Sequence, residues 1–337
     1  MRRSFWCFIV LVTGLPFSTV LAQEQPDNRY MFRVYEDNDV INIYDIGSDR
    51  GYTNGTRLDL FWRKQKRSFM NKLMPQAGKN SINTHSWSLM QVIITPDNIL
   101  RRKPDPADYP YSGALFVSRS LHSSNPVTKL SLQTEWVLGV MGPPSLAQET
   151  QKLIHRVIGA QPPRGWAYQQ PADLLLNYHF TVNKQLARYR QWAEIIGSGQ
   201  VYAGTMLNGA ALYTTIRIGN MNPYFEGYMQ QFTAGKKRTN RWQLYFTIQP
   251  AAELILHNAL LEGGVFNHGI KQQGSEPGTQ TQYVRLAEQQ RLIGRIDLGA
   301  VVSKGNIGLS FTQKSSTALI KGLPRQDVGN ISLYIGW

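Results

Sequence analysis

The sequence predicts an all-β fold, an antiparallel transmembrane β-barrel of about twelve strands with one short external α-helix. Three observations predict it. Segment after segment alternates apolar and polar residues with period two, as strands with unlike faces do. The segments run to about 10 residues, the length that crosses a bilayer at a tilt. Beyond the N-terminal leader no run of about 18 apolar residues occurs, so no transmembrane helix is expected.

The chain has 337 residues and opens as a signal peptide would. Arg2 and Arg3 supply a positive start, Phe5 to Val12 an apolar stretch, and Val20-Leu21-Ala22 a small-residue cleavage site. Residues 1–22 are therefore expected to be a leader and 23–337 the barrel. A membrane anchor is the competing reading, but the apolar run is short and broken by Gly14 and Pro16. The single cysteine, Cys7, lies in the leader, so a mature chain would hold its fold without disulfides.

Alternation begins clearly at Tyr52. One face reads Tyr52, Asn54, Thr56, Leu58, Leu60, Trp62, and the other Thr53, Gly55, Arg57, Asp59, Phe61, Arg63. On this reading Thr53 shares the polar, inward side with Arg57 and Asp59. Leu130 to Leu138 repeats the pattern, as do Ile296 to Ala300, Ile307 to Phe311 and Ile331 to Trp337. The inward candidates (Arg, Asp, Glu, Ser, Gly) suit a wet lumen, where a soluble sandwich would bury apolar residues. Trp62, Trp87, Tyr109, Tyr111, Trp136 and Trp337 sit near segment ends, as aromatic girdles do. Candidate strands fall near 29–36, 52–63, 84–94, 109–121, 128–140, 167–180, 200–217, 222–233, 240–256, 280–291, 292–303, 306–315 and 329–337. Even numbers are preferred in bacterial barrels, so twelve is expected; 257–279, rich in Gly and Gln, reads as a loop.

One segment departs from the β pattern. Pro143-Pro144 precedes Ser145-Leu146-Ala147-Gln148, a capping box with Ser145 as cap. Apolar residues follow at Leu146, Leu153, Ile154, Val157 and Ile158, and Gly159 ends the helix. Gln148, Gln151 and His155 share one stripe, because residues three and four apart are neighbours on a helix.

Formal net charge is +14; without Arg2 and Arg3, 34 basic residues face 22 acidic ones, hence +12. The excess favours an anionic partner, and export disfavours nucleic acid. The absence of a Gly-x-Ser-x-Gly elbow argues against an α/β-hydrolase. No His-Glu-x-x-His run is present and cysteine ligands are absent, which argues against structural zinc.

Strand parity brings chemistry together. If the first strand rises from the periplasmic side, it ends at Glu36-Asp37-Asn38-Asp39, and the second starts at Tyr52-Thr53. The third rises into the loop with Arg101-Arg102-Lys103, and the fifth into the helix with Gln151 and His155. Asn38, Asp39, Thr53, Arg101, Arg102 and His155 then share one rim. Taken singly each is ordinary: turn residues, a strand start, a solvated loop, an exposed histidine. Together they suit hydrolysis: a histidine base, hard oxygens for Ca²⁺, and basic groups for phosphates.

At these residues the chain resembles the outer-membrane lipid A deacylases, which remove the 3′-acyloxyacyl group of lipid A. The resemblance rests on Glu36-Asp37-Asn38-Asp39, Tyr52-Thr53-Asn54-Gly55, Arg101-Arg102-Lys103-Pro104, and Gln151 through Ala160, with Trp166 and Gln169 following. It is close over the first half of the mature chain. It implies a twelve-stranded outer-membrane barrel, expected to be monomeric, that acts on lipopolysaccharide with calcium. On that model His155 activates water, and Asn38 and Asp39 belong to the calcium site. Thr53 and Gln151 complete the catalytic set, and Arg101 and Arg102 meet the substrate. Three positions depart from the family pattern: Arg101 replaces Lys, Gln161 a Glu, and Pro163 a Tyr. Two other classes also fit: a non-catalytic pore or lipopolysaccharide-binding barrel, and an outer-membrane phospholipase with a Ser-His pair.

Overall fold

The computed structural model describes residues 28–44, 50–63, 73–233, 242–267 and 288–337. The expected leader and cleavage site lie outside them. Twelve antiparallel strands close into one barrel in sequence order, with the first pairing the last. They are β1 (Tyr30–Asn38), β2 (Gly51–Arg63), β3 (Ile82–Thr95), β4 (Ser112–Asn125), β5 (Leu130–Met141), β6 (Asp173–Tyr189), β7 (Ala193–Gly204), β8 (Leu207–Asn220), β9 (Gln243–Asn258), β10 (Leu292–Lys304), β11 (Ile307–Ser316) and β12 (Gln326–Gly336). Helix α1 (Ala147–Ile158) links β5 to β6, and the one-turn α2 (Ala259–Glu262) follows β9.

The expected count is correct, but two segments were placed wrongly. The stretch 200–217 is not one strand: β7 ends at Gly204 and β8 begins at Leu207, so a tight turn divides it. The stretch 222–233 is not a strand but two short 3-10 turns, Tyr224–Glu226 and Met229–Gln231. Of 280–291, only residues from 288 on are described, and these carry a single isolated bridge, Gln289 to Ile320.

The alternation sorts as expected. Val34, Leu58, Leu60, Leu89, Val117, Leu138, Leu176 and Ile331 lie exposed on the outside, as a lipid-facing belt requires. Tyr30, Tyr189, Trp192, Trp242 and Trp337 are exposed near the rim that holds both chain ends of the barrel, and Tyr30 stacks on Trp337 at 5.8 Å. Tyr109 and Tyr111, expected in a girdle, are instead fully buried.

The inside of the barrel is filled. At mid-height Arg33 and Arg57 both hold Asp59 at 2.7 Å, and Arg57 reaches Glu135 at 2.9 Å. Call the rim with the β1–β2 connection the upper one. From the lower rim the β8–β9 connection folds inward. Its Tyr228 packs on Phe61 and His122, and its Phe232 stacks on Tyr334 at 4.1 Å. From the upper rim α2 buries Leu260 and Leu261 against Phe116, Val137, Met141 and Leu175. Apolar packing at both ends thus brackets a layer of paired charges.

Candidate active site on the outer wall

The outside of the barrel wall carries a row that runs from the hairpin to the start of the helix. In β1, Arg33 and Asp37 point inward to lumen partners, so Glu36 and Asn38 point outward. Cross-strand register then runs one row outward across four strands: Asn38 opposite Asn54, Asn54 opposite Ile93, Ile93 opposite Gly113. A Cβ on Gly113 would collide with Ala147 and Ser145, so only glycine lets the start of α1 lie against the wall there. Ile93, Tyr111, Ala147 and Trp166 form a buried cluster under the helix. Gln91 donates to the Ser145 carbonyl at 2.7 Å.

Helix α1 does not use the expected cap. Its N-cap is Leu146 in the left-handed region (φ 58°), and the Ser145 hydroxyl instead donates to Gly142 at 2.6 Å. The Pro143–Ser145 3-10 turn delivers the chain to the wall, and that geometry replaces a capping box. The C-terminal expectation is correct: Gly159 has φ 71° and its N–H returns to the His155 carbonyl.

The helix buries two members of its expected polar stripe, Gln151 and His155, whereas Gln148 is only half-buried. Ala147, Gln151 and His155 face the wall, while Leu153, Val157 and Ile158 are more than half exposed. A step of four residues advances about 6 Å along a helix, and strands sit about 4.8 Å apart. From Ala147 over β4, with α1 also contacting β3, the stripe is long enough to reach the β1–β2 hairpin.

Each polar member is held from behind. His155 Nδ1 lies 2.6 Å from the Gln161 carbonyl oxygen. A carbonyl can only accept, so Nδ1 carries a proton, and the tautomer this selects has its lone pair on Nε2. The departure at Gln161 therefore leaves this contact intact, because the main chain makes it. Pro163 is buried, so that departure is taken up in packing. Gln151 Oε1 accepts from the Trp166 indole at 2.7 Å, while its buried amide nitrogen has no protein partner. That nitrogen is therefore available as a donor on the wall side of the helix.

Thr53 is where alternation misleads. The β2–β3 register shifts between Tyr52 and Asn54, which makes Thr53 the extra residue of a β-bulge. Tyr52 turns inward, its hydroxyl 3.1 Å from Asp37, and Asn54 turns outward. Thr53 therefore does not share a side with Arg57 and Asp59. Its hydroxyl lies 2.6 Å from that of Thr95, on the outer side of β3. Thr95 was not legible as a partner, since only the bulge brings the two hydroxyls together.

Asn38 and Asp39 also do structural work. Asn38 Oδ1 accepts from Val40 at 2.8 Å, capping the 3-10 turn Asp39–Ile41. Asp39, 5% exposed, accepts from the Arg50 N–H at 3.2 Å through Oδ2. The turn reading and the site reading are thus compatible. Arg101 and Arg102 are exposed on the β3–β4 loop, and Arg101 forms a solvent-exposed pair with Asp105 at 3.7 Å. That loop touches the post-helix segment: Arg164 donates to Ile99 at 2.8 Å, and a Cβ on Gly165 would meet Tyr111 and the Arg101 carbonyl. The β3–β4 loop and the segment after the helix are therefore packed together.

A family model described as outer membrane protein LpxR matches residues 5–337. The chain belongs to the LpxR outer-membrane protein family. It is thus an outer-membrane barrel of the family to which the ordered motifs pointed. Among solved structures, LpxR from Salmonella typhimurium superposes with a TM-score of 0.71 at 15% identity. The match covers 91% of this chain and 100% of that one, and it shows the same fold. The β domain of the Bordetella autotransporter BrkA gives a TM-score of 0.43 at 7% identity, covering 92% and 100%. No curated protein matched in sequence.

Proposed function

We propose that the chain is a lipid A deacylase, hydrolysing the ester of the 3′-acyloxyacyl group in the outer leaflet. The observation that carries this reading is the buried polar stripe of α1 on the outer wall. Polar groups at membrane height are costly unless they serve a purpose, and these lie where lipid is the nearest neighbour.

His155 is the base in this reading. With Nδ1 engaged by Gln161, Nε2 takes a proton from water as the water attacks the ester carbonyl. The same proton can pass to the departing alkoxide of the sugar. Gln151, held by Trp166, offers its unpartnered amide to the ester or its oxyanion. Thr53, fixed by Thr95, lines the same face. Arg101 and Arg102 supply charge for lipid A phosphates.

The donor set at the hairpin consists of oxygens: the Asn38 amide, the Asp39 carboxylate and the Thr53 hydroxyl. That chemistry fits Ca²⁺, which takes oxygen ligands and many of them. No group of three or more acidic, His or Cys side chains forms a metal cage among the described residues. Asn38 and Asp39 would therefore hold the ion with main-chain, water or substrate oxygens completing the shell. When bound, calcium supplies positive charge for a developing oxyanion. The test is the refolded barrel on lipopolysaccharide with Ca²⁺ or with EGTA, followed by mass spectrometry of lipid A. Loss of the acyloxyacyl mass in Ca²⁺ alone supports the reading; unchanged lipid A in both sinks it.

A further inference from the structure

Helix α1 presents two unlike exposed flanks. With Gln151 and His155 against the wall, Leu146, Leu153, Ile154, Val157 and Ile158 form one flank, all exposed, with Val157 at 75%. Lys152 and Arg156 form the other, also exposed, together with the exposed Glu149, so that this flank carries a net single positive charge. At 3.6 residues per turn the basic pair is centred about 140° from the apolar flank. A helix on a soluble protein would bury the first of these, but here the apolar side faces away from the protein. In a chain that spans the outer membrane, the solvent that rewards this pattern is lipid.

The surroundings agree. On β3 the outward residues are Trp87 and Leu89, exposed, then Gln91, bonded to Ser145, then Ile93, covered by the helix start. On β4 the series is Val117, exposed, then Leu115, then Gly113 beneath Ala147. The lipid-facing belt therefore runs up to the helix within two or three outward positions, about 7 Å per position. The apolar flank continues that belt, and the basic flank adds cations where anionic headgroups lie.

We infer that α1 is an interfacial lipid-docking helix. Its Leu153–Ile154–Val157 flank sits in the acyl layer of the outer leaflet, and Lys152 and Arg156 sit at headgroup level. This places lipid chains directly beside the buried His155 stripe. The inference rests on the barrel and its membrane, not on catalysis.

The test uses the full barrel in a Cys7→Ser background, reconstituted in phosphatidylglycerol–phosphatidylethanolamine vesicles containing acyl-brominated lipid. Single cysteines replace Val157, Leu153, Lys152 or Arg156 and carry an environment-sensitive fluorophore. Leu138→Cys in the belt serves as the immersed reference, and heat-modifiable mobility reports folding. Bromine should quench the probes at 153 and 157 at least about threefold more than those at 152 and 156, for a helix buried 5–10 Å into the interface. Equal quenching on both flanks, or the reverse order, overturns the inference. Leu153 and Val157 report the same flank, so one misfolding variant leaves the other to decide. The pattern is also read in His155→Ala, where turnover plays no part: quenching there bears on docking alone, and loss of deacylation bears on the proposed chemistry alone.

Discussion

The lumen and the outer wall treat polar groups in opposite ways. Inside, Arg33, Asp59, Arg57 and Glu135 are close-packed and paired with one another, and apolar layers bracket them above and below. Outside, beneath α1, the polar groups are few. His155 and Gln151 lie on different turns of one helix, each is oriented by a partner, and the amide nitrogen of Gln151 has no protein partner. Charge that is satisfied internally stabilises and does little else. Polar groups that are oriented but not consumed are what a reaction needs. The proposed site on the outer wall is thus separate from the richest collection of ionisable residues, the paired charges of the lumen.

Four variants sharpen or break this contrast. His155→Ala should lower the deacylation rate of refolded barrel by about 10²–10⁴-fold, the usual worth of a general base, with heat-modifiable mobility unchanged. Asp59→Ala should do the reverse. It strands Arg33 in the lumen and leaves Arg57 with Glu135 alone, and should cost about 3–5 kcal/mol in urea unfolding while folded molecules keep their activity. Thr53→Val removes one hydroxyl from the outer site, worth about 1 kcal/mol, so a rate loss of about fivefold is expected, with Thr53→Ser largely restoring it. Gln161→Ala should change little, because the carbonyl and not the side chain holds His155; a collapse in rate would show that the side chain is needed after all.

Much of this is legible in the sequence itself. Parity alone put Asn38, Thr53, Arg101 and His155 on one rim, because up-and-down strands leave no choice once five are counted correctly. Arg57, Asp59 and Glu135 were assigned inward by alternation, and they are inward. Period two fails wherever the backbone slips. One extra residue at Thr53 reverses the face of everything before it in β2, and nothing in Tyr52-Thr53-Asn54 announces the bulge. The division of 200–217 falls at Thr205-Met206, while the Asn208-Gly209 pair that would signal a tight turn lies inside β8. The 222–233 stretch is aromatic enough to read as strand. Its aromatics are spent filling the lumen, a tertiary fact that local pattern does not carry. Thr95, Gly113 and Trp166 matter for the same reason: their roles exist only once the helix is laid on the wall.

The most direct measurement is mass spectrometry of lipid A from outer membranes carrying the wild-type chain, His155→Ala or Glu135→Gln, with each barrel confirmed as folded. The outer-wall account predicts that the acyloxyacyl mass is lost with the wild type and with the lumen variant Glu135→Gln, and is retained with His155→Ala. Shortened lipid A in His155→Ala, or intact lipid A in a folded Glu135→Gln barrel, would contradict it.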